Sequence, residues 1–493
     1  MNKKRACSII LQLILIITLI IPSSNVFAAT NTTNDDYLHT DGNKILDDSG
    51  NQVRLTGIAW FGFETPNYCF HGIWANKMEN IIDLVANNGF NLMRVPLSVE
   101  LVNQWRKGVY PAPDSMNDYI NPELKGMNSL QVLDATLAYC NKVGLKVMLD
   151  MHRIDSAGQT PTWYTDKYTT ADYEACWEWL ANHYKNDDTV VAMDLFNEPH
   201  GKAYRQETTA IWDDSTNPAN WKNEAQIVGN KILKINPKML IMVEGIETYP
   251  KEGKTYSYTG EDGYYGYWWG GNLRGVKDHP ITLSVKNQVV YSPHDYGPSV
   301  SDQSWFSAGF DETSLTKDAW MPNWLYIHTN NIAPVLIGEW GGQMDGGSNQ
   351  KWMSALADTI VKNNLNHTFW CLNPNSGDTG GILGNDFATV DQAKYALVKP
   401  TLWADKTSGK FIGLDHQVNL GTTGTHVKGN GIVPVLNGDV NGDGRVNVLD
   451  YLKLKKYIVN KSISINTKAG DVNNDGVIDS NDLTALRKVL LTK

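Results

Sequence analysis

Eight short apolar runs set the terms for this chain. They fall at about 55–62, 91–98, 146–152, 190–196, 239–244, 288–293, 334–338 and 367–372. Helix-patterned segments fill most of the intervals, at about 76–88, 128–143, 172–186, 217–235, 315–331 and 350–364. An apolar run of strand length, such as 190–196, reads as a strand buried on both faces and so as part of a parallel sheet. Eight such βα units predict an α/β fold, a (β/α)8 TIM barrel whose site lies at the C-terminal ends of the strands. An open doubly wound sheet is the alternative, but no glycine-rich phosphate loop follows the first strand. A small hairpin is expected at 44–54, turning at Ser49-Gly50-Asn51.

Polar residues collect where these runs stop. They are Arg94, Asp150 and His152, Asn197-Glu198-Pro199, His294 and Tyr296, Glu339-Trp340, and Trp370 with Asn373. Taken singly, each has an ordinary reading as a structural ion pair, a satisfied histidine, a core tryptophan or a helix cap. Six strands ending this way in register point to an active site. Glu198 and Glu339 at equivalent strand ends suit glycoside hydrolysis, one as acid/base and the other as nucleophile or water-activating base. Arg94 and the Tyr296 hydroxyl suit holding Glu339 ionised. The charge of Glu339 is expected to raise the pKa of Glu198. His152, Asn197 and His294 can hydrogen-bond sugar hydroxyls, with Asn197 placed for the 2-hydroxyl, and Trp370 can offer a flat face to a pyranose ring. A metal site from His152, His294 and the carboxylates lacks any short ligand motif, so catalysis is expected to need no cofactor.

The N-terminus reads as an export signal over 1–28. Lys3, Lys4 and Arg5 precede an apolar run at 8–21, Pro22 breaks it, and Val26-Phe27-Ala28 supplies a small-residue cleavage site. Cleavage would leave a secreted chain without a membrane anchor, with the catalytic barrel over 29–409. The net charge of −10 and the lack of basic blocks leave no footprint for nucleic acid. Seventeen Trp and 22 Tyr offer faces for sugars, though core packing must use most of them. Cys69, Cys140, Cys176 and Cys371 fit neither a metal motif nor a disulfide framework, and whether any two of them bridge stays open.

With Arg94, His152, Asn197-Glu198-Pro199, His294, Tyr296, Glu339 and Trp370 in this order, the segment at about 37–405 resembles glycoside hydrolase family 5. Within that family it is similar to bacterial cellulases carrying Trp60-Phe61-Gly62-Phe63-Glu64-Thr65, His71-Gly72-Ile73-Trp74 and Trp268-Trp269-Gly270-Gly271-Asn272. The resemblance implies a retaining mechanism with Glu198 as acid/base and Glu339 as nucleophile. It implies internal cleavage of β-1,4-glucan, with His71, Trp74 and Trp269 around the cleft. Some relatives carry a cysteine pair near the first barrel loop; only Cys69 lies there, so no disulfide is carried over. Mixed-linkage glucan, xyloglucan and mannan are alternative substrates. A barrel that only binds sugar is less favoured, since it would normally have lost one of the two glutamates.

Beyond residue 410 the composition shifts to Gly, Thr, Val and Asn without helical period, which reads as a linker over 410–436. The stretch 438–450 then recurs 32 residues later. Each copy places oxygen ligands at loop positions 1, 3, 5, 9 and 12 with glycine at 6, the calcium-loop spacing. The ligands would be Asp439, Asn441, Asp443, Asn447 and Asp450 with the Arg445 carbonyl, then Asp471, Asn473, Asp475, Asp479 and Asp482 with the Val477 carbonyl. Position 12 is Asp rather than the Glu of EF-hands, and a helix pattern follows each loop while none precedes it. The segment 437–493 resembles a type I dockerin domain. That resemblance implies a small all-α domain holding two calcium ions, a cohesin module of a scaffoldin as partner, and a cellulosome outside the cell. Tyr451, Leu454, Leu483 and Leu486 occupy matching places and are expected to pack the helices together. Val448-Leu449 with Lys455-Lys456, or Ser480-Asn481 with Arg487-Lys488, would face the cohesin.

Overall fold

The computed structural model describes residues 35–427 and, of 437–491, all but 439, 442–445, 462, 464, 466 and 474. The expected export signal and the ligands Asp439, Asp443 and Arg445 lie outside the described residues. A three-stranded antiparallel cap comes first: β1 (Leu38–Asp41), β2 (Lys44–Asp47) and β3 (Gln52–Val53). The strands that follow are β4 (Thr56–Ala59), β5 (Leu92–Ser98), β6 (Lys146–Arg153), β7 (Val190–Asp194) and β8 (Leu240–Val243). After a short hairpin of β9 (Thr248–Pro250) and β10 (Tyr264–Gly266) come β11 (Val289–Tyr291), β12 (Leu336–Trp340) and β13 (Asn366–Phe369). From β4 onward, all but β9 and β10 form one parallel sheet in the order β11-β8-β7-β6-β5-β4-β13-β12. Parallel bridges Tyr291–Val335 and His294–Glu339 join its two edges and close the barrel.

Strand alternation sorts the barrel interior into layers. Leu92, Met148, Ala192, Leu240 and Leu336 pack together at one level with the cap residues Leu38, Ile45 and Val53. The neighbours Met93, Val147, Met193, Ile241 and Ile337 belong to the other core, which includes the helices. Two residues beyond the inward apolar positions come Arg94, Asp150, Asp194 and, after Met242, Glu244, all fully buried. The lower half of the barrel is thus apolar, and a layer of charge sits above it.

Helices Met78–Asn87, Ser129–Lys142, Thr170–His183, Trp221–Ile235 and Ser348–Asn363 occupy the expected intervals. The sixth interval holds a helical run from Glu312 to Thr329 whose middle, Thr316–Leu325, is π-helical and contains Pro322. Two helices escape the periodicity because they are too short to repeat it. Val99–Arg106 starts where the Ser98 hydroxyl accepts from Leu101 N, and Gln392–Val398 is capped by Asp391.

The segment after 410 differs from the linker expectation as far as residue 427. Phe411 bridges Ala404 and Ile412 bridges Thr425, while Leu414 and Val427 pack into the apolar floor of the barrel. Beside them Lys146, 1% exposed, lies 2.5 Å from Asp36, 3.2 Å from Asp415 and 3.7 Å from Asp188. His416 Nδ1 is 2.5 Å from Asp36 and its Nε2 is 3.2 Å from Asp47. This charge cluster ties the first described residues to the last of the barrel. The four described cysteines are buried free thiols. In the C-terminal region Val448–Val459 and Ser480–Leu491 pack through Leu454 and Leu486, with Tyr451 and Leu483 half-buried against them. One added helical turn, Thr467–Gly470, precedes the second loop.

Candidate active site

One cation organises the charge layer. Arg94 sits 3.0 Å from Asp194, 3.1 Å from Asp150, 3.3 Å from Glu244 and 2.5 Å from Glu339, and its Nη2 donates to Asn197 Oδ1 at 2.9 Å. One guanidinium cannot offset four buried carboxylates. Burial pushes Asp150 up to about 7 and Asp194 to about 6, with Arg94 opposing, and holds Glu244 well above the carboxylate range. Glu339 accepts from Arg94 on one oxygen and from the Tyr296 hydroxyl, at 2.5 Å, on the other. The donors, on β5 and just beyond β11, hold this carboxylate at the mouth of the barrel.

Glu198 follows β7 with φ of 54°, a left-handed conformation that is rare for a residue with a side chain and marks functional sites. Its amide donates to Glu244 Oε2 at 2.7 Å. Gly270, φ 66°, leaves room there: a Cβ would collide with the Glu244 carboxyl. His294 Nδ1 lies 3.1 Å from Glu198 and 3.5 Å from Glu339, and Nε2 lies 3.1 Å from Glu244, near enough for an ion pair but not aligned for a hydrogen bond. Burial alone would push His294 down. The charges of Glu244 and Glu339 and the hydrogen bond to Glu198 outweigh it, so the imidazole is held well above its ordinary value.

This arrangement corrects the expectation for Glu198. Burial pushes its carboxyl up, but the hydrogen bond and charge of His294 outweigh that, and the net direction is down. Sequence position alone did not reveal that a protonated imidazole would stand between the two glutamates. Glu198, His294 and Glu339 each offer a ligand atom within 4.8 Å of the others, close enough to hold a metal ion. His294, held well above its ordinary value, brings positive charge to this cluster. His152 is the opposite case: burial holds it well below its ordinary value, and the neutral ring donates from Nδ1 to Asp150 at 2.7 Å.

A cavity of about 650 Å³ opens over these groups, lined by Phe61, Glu64, His152, Gln159, Glu198, Trp268, Trp269, Tyr296, Glu339 and Trp370 among others. Trp370 stacks with Phe61 and with His152, at 5.6 and 5.2 Å between ring centres, and lines the open cavity; its peptide to Cys371 is cis. Trp269, 39% exposed, lies flat on His200 at 3.7 Å. Asn197 keeps a buried Nδ2 with no partner among the described residues. His71 and Trp74 are not on the cavity wall. His71 bonds Asn67 and Asn375, of which Asn375 does line the cavity, while Trp74 packs edge-on against Phe387.

Strand-end reading missed four contributors. Asp194 and Glu244 were hidden inside apolar runs, where a charge is itself the signal. Gln159, exposed on the loop after β6, donates from Nε2 to Glu198 Oε2 at 2.9 Å, and nothing in the sequence marked it. Glu64, in the Trp60–Thr65 stretch, is buried on the cavity wall, and burial raises it to about 7. In the C-terminal region Asp450 and Asp482 are fully buried and matched. Asp450 accepts from Asn441 N at 3.0 Å and Asn447 N at 2.9 Å, and Asp482 from Asn473 N at 3.2 Å and Asp479 N at 2.8 Å.

Known proteins place this geometry. The profile of Cellulase (glycosyl hydrolase family 5) matches residues 46–376, and that of the Dockerin type I domain matches 437–491. Endoglucanase G of Acetivibrio thermocellus is 46% identical over 90% of this chain and 88% of its own length. Endoglucanase B of the same organism is 38% identical over 94% of each. The hyperthermophilic endocellulase of Pyrococcus horikoshii superposes with a TM-score of 0.68 at 35% identity, covering 75% of this chain and all of that one. That endocellulase has also been solved in complex with cellotetraose. The chain belongs to the cellulases of glycosyl hydrolase family 5 and carries a type I dockerin domain at its C-terminal end.

Proposed function

We propose that this endoglucanase cleaves β-1,4-glucan internally with retention of configuration, through a covalent glycosyl-enzyme at Glu339. The observation that carries the reading is the closeness of Glu198 and Glu339, each bringing one carboxyl oxygen within 4.8 Å of the other and both reaching within 3.5 Å of the same nitrogen, His294 Nδ1. Retaining pairs stand about 5–5.5 Å apart and inverting pairs about 6.5–9.5 Å, with room for a water. Glu339, held by Arg94 and Tyr296, attacks the anomeric carbon. Glu198 protonates the leaving oxygen and then, as base, activates the water that frees the sugar. The unpartnered Nδ2 of Asn197 supplies a donor for the 2-hydroxyl, and Trp370 a face for the ring. His294 Nδ1 faces Glu198 Oε1 at 3.1 Å. A proton passed across that contact makes Glu198 the neutral acid and leaves a neutral imidazole, which recovers the proton after Glu198 takes one from the attacking water.

We also propose export and assembly on a scaffold. The oxygen-only donor set of the two C-terminal loops fits a hard cation such as calcium, one per loop. A bound ion would draw the loop carboxylates together and fix the helices that follow. Val448 and Leu449, 61% and 57% exposed, offer a cohesin-binding face in one repeat, and the exposed Ser480 and Asn481 the other. Two assays test these readings. On a panel of soluble polysaccharides, carboxymethylcellulose and β-glucan should lose viscosity fast, and a strong preference for mannan would overturn the substrate. Calorimetry should give cohesin binding with calcium and none after chelation, and binding unaffected by chelation would overturn the calcium reading.

A further inference from the structure

A second cavity, of about 630 Å³, lies outside the catalytic one and is lined by a different set of aromatic and charged side chains. Both draw on the β9–β10 hairpin and the residues at its base. Glu247 and Tyr267, at the base of the β9–β10 hairpin, line the catalytic cavity. Two residues further along each strand, the cross-strand pair Tyr249 and Tyr265 lines the second, about 7 Å away at the rise of a strand.

Two side chains in this cavity are only partly engaged. Tyr249 is half-buried, yet among the described residues its hydroxyl makes no hydrogen bond and its ring pairs with no other ring. The ring lies against the backbone of Gly275, where a Cβ would come 2.9 Å from it and closer still to Trp212. Arg274 lies 4.1 Å over the Tyr265 ring and donates from Nε to Asn323 at 2.9 Å. No described carboxylate comes within ion-pairing distance of it, so guanidinium donors remain for a ligand. The other walls are fixed. The Tyr326 hydroxyl donates to Leu273 O at 2.8 Å, and the Tyr256 hydroxyl accepts from Trp212 N at 3.0 Å.

Flat aromatic faces beside planar donors suit a sugar ring, which has apolar C–H faces and a hydroxylated edge. The walls carry mixed charge, Asp213, Glu252 and Asp278 against Lys251, Lys254, Arg274 and Lys277, so no single-sign field is built to select an acidic sugar and a neutral one fits. We propose that this cavity is a second, non-catalytic site for a neutral β-glucan chain, an inference that rests on the glucan reading above. Bound there, a chain is held beside the cleft and its local concentration at the catalytic glutamates rises.

The test compares the full-length wild type with Tyr249→Ala and Tyr249→Phe. Native gel electrophoresis with and without soluble β-glucan reads binding, and turnover of an aryl cellobioside, too short to bridge both cavities, reads the catalytic site. Tyr249→Ala should bind β-glucan about 3- to 10-fold more weakly, the worth of one aromatic contact, with aryl cellobioside turnover within about twofold of wild type. Tyr249→Phe, which keeps the ring, should fall between them. Wild-type retardation in both variants would overturn the site. So would a parallel fall in binding and turnover with a lowered melting temperature, which would make the cavity a structural support. A wild type that neither cuts nor is retarded by β-glucan would instead remove the glucan reading, and the proposal with it.

Discussion

Removing one oxygen atom, in Tyr296→Phe, separates the two chemical steps. The Tyr296 hydroxyl donates to Glu339 Oε2 at 2.5 Å, and His294 Nδ1 stands farther from that oxygen, at 3.5 Å. A hydrogen bond to a charged group contributes about 1.5–3 kcal/mol. It acts in opposite directions in the two half-reactions. When Glu339 attacks, its charge is consumed and the bond weakens, so the hydroxyl does not help that step. When the glycosyl-enzyme breaks down, Glu339 departs as an anion and the hydroxyl stabilises it. Breakdown should therefore slow about 10- to 100-fold, at about 1.4 kcal/mol per factor of ten. With an activated aryl cellobioside, kcat and KM should fall together, kcat/KM should change much less, and a burst of phenol should appear. The ring and its edge-on packing with Trp268 at 6.1 Å remain, so the melting temperature should hold. Equal losses in kcat and kcat/KM, with no burst, would refute this account of the hydroxyl.

Three further outcomes are expected. Asn197→Ala removes both an acceptor from Arg94 and the proposed 2-hydroxyl donor, so kcat/KM on cellooligosaccharides should fall by 10-fold or more (about 1.4 kcal/mol or more); a loss under twofold would show that the amide does not meet the substrate. His416 is raised to about 10, first by its hydrogen bond to Asp36 and then by that to Asp47. A raised histidine stabilises fully below its unfolded pKa of about 6.5 and loses that contribution as pH climbs towards 10, by up to about 1.4 kcal/mol per unit. Urea melts at pH ~6 and ~9 should show wild type losing stability where His416→Gln does not, and parallel losses would count against the tie. Chelation should leave barrel turnover on soluble glucan unchanged while lowering the helical signal of the C-terminal region, and a metal-reversible loss of turnover would count against a metal-free catalytic site.

The barrel was legible because parallel strands buried on both faces leave uninterrupted apolar runs, and all eight fell where such runs were found. The helices that were missed, Val99–Arg106 and Gln392–Val398, are too short for their periodicity to stand out. The fold of 411–427 was hidden for a different reason. Its order comes from Leu414 and Val427 filling the barrel floor and from His416 meeting Asp36, contacts between opposite ends of the chain. In the site, residues at strand ends could be read from position alone. Gln159 could not, because it reaches Glu198 from a loop of no regular pattern. The direction of the Glu198 shift was also out of reach, since it depends on how His294 divides its contacts among three carboxylates. Trp74 shows the converse: an aromatic motif near a cleft still leaves open which ring meets the cavity and which packs behind it.

The most direct test of the central claim is to inactivate the full-length protein with a 2-deoxy-2-fluoro cellobiosyl donor bearing a good leaving group, then map the label by peptide mass spectrometry. The fluorine slows breakdown of the glycosyl-enzyme, so a retaining enzyme keeps the sugar on its nucleophile. The account predicts one cellobiosyl group on the peptide containing Glu339, released when an acceptor sugar is added. A label on Glu198, or an enzyme that turns over without ever being labelled, would contradict it.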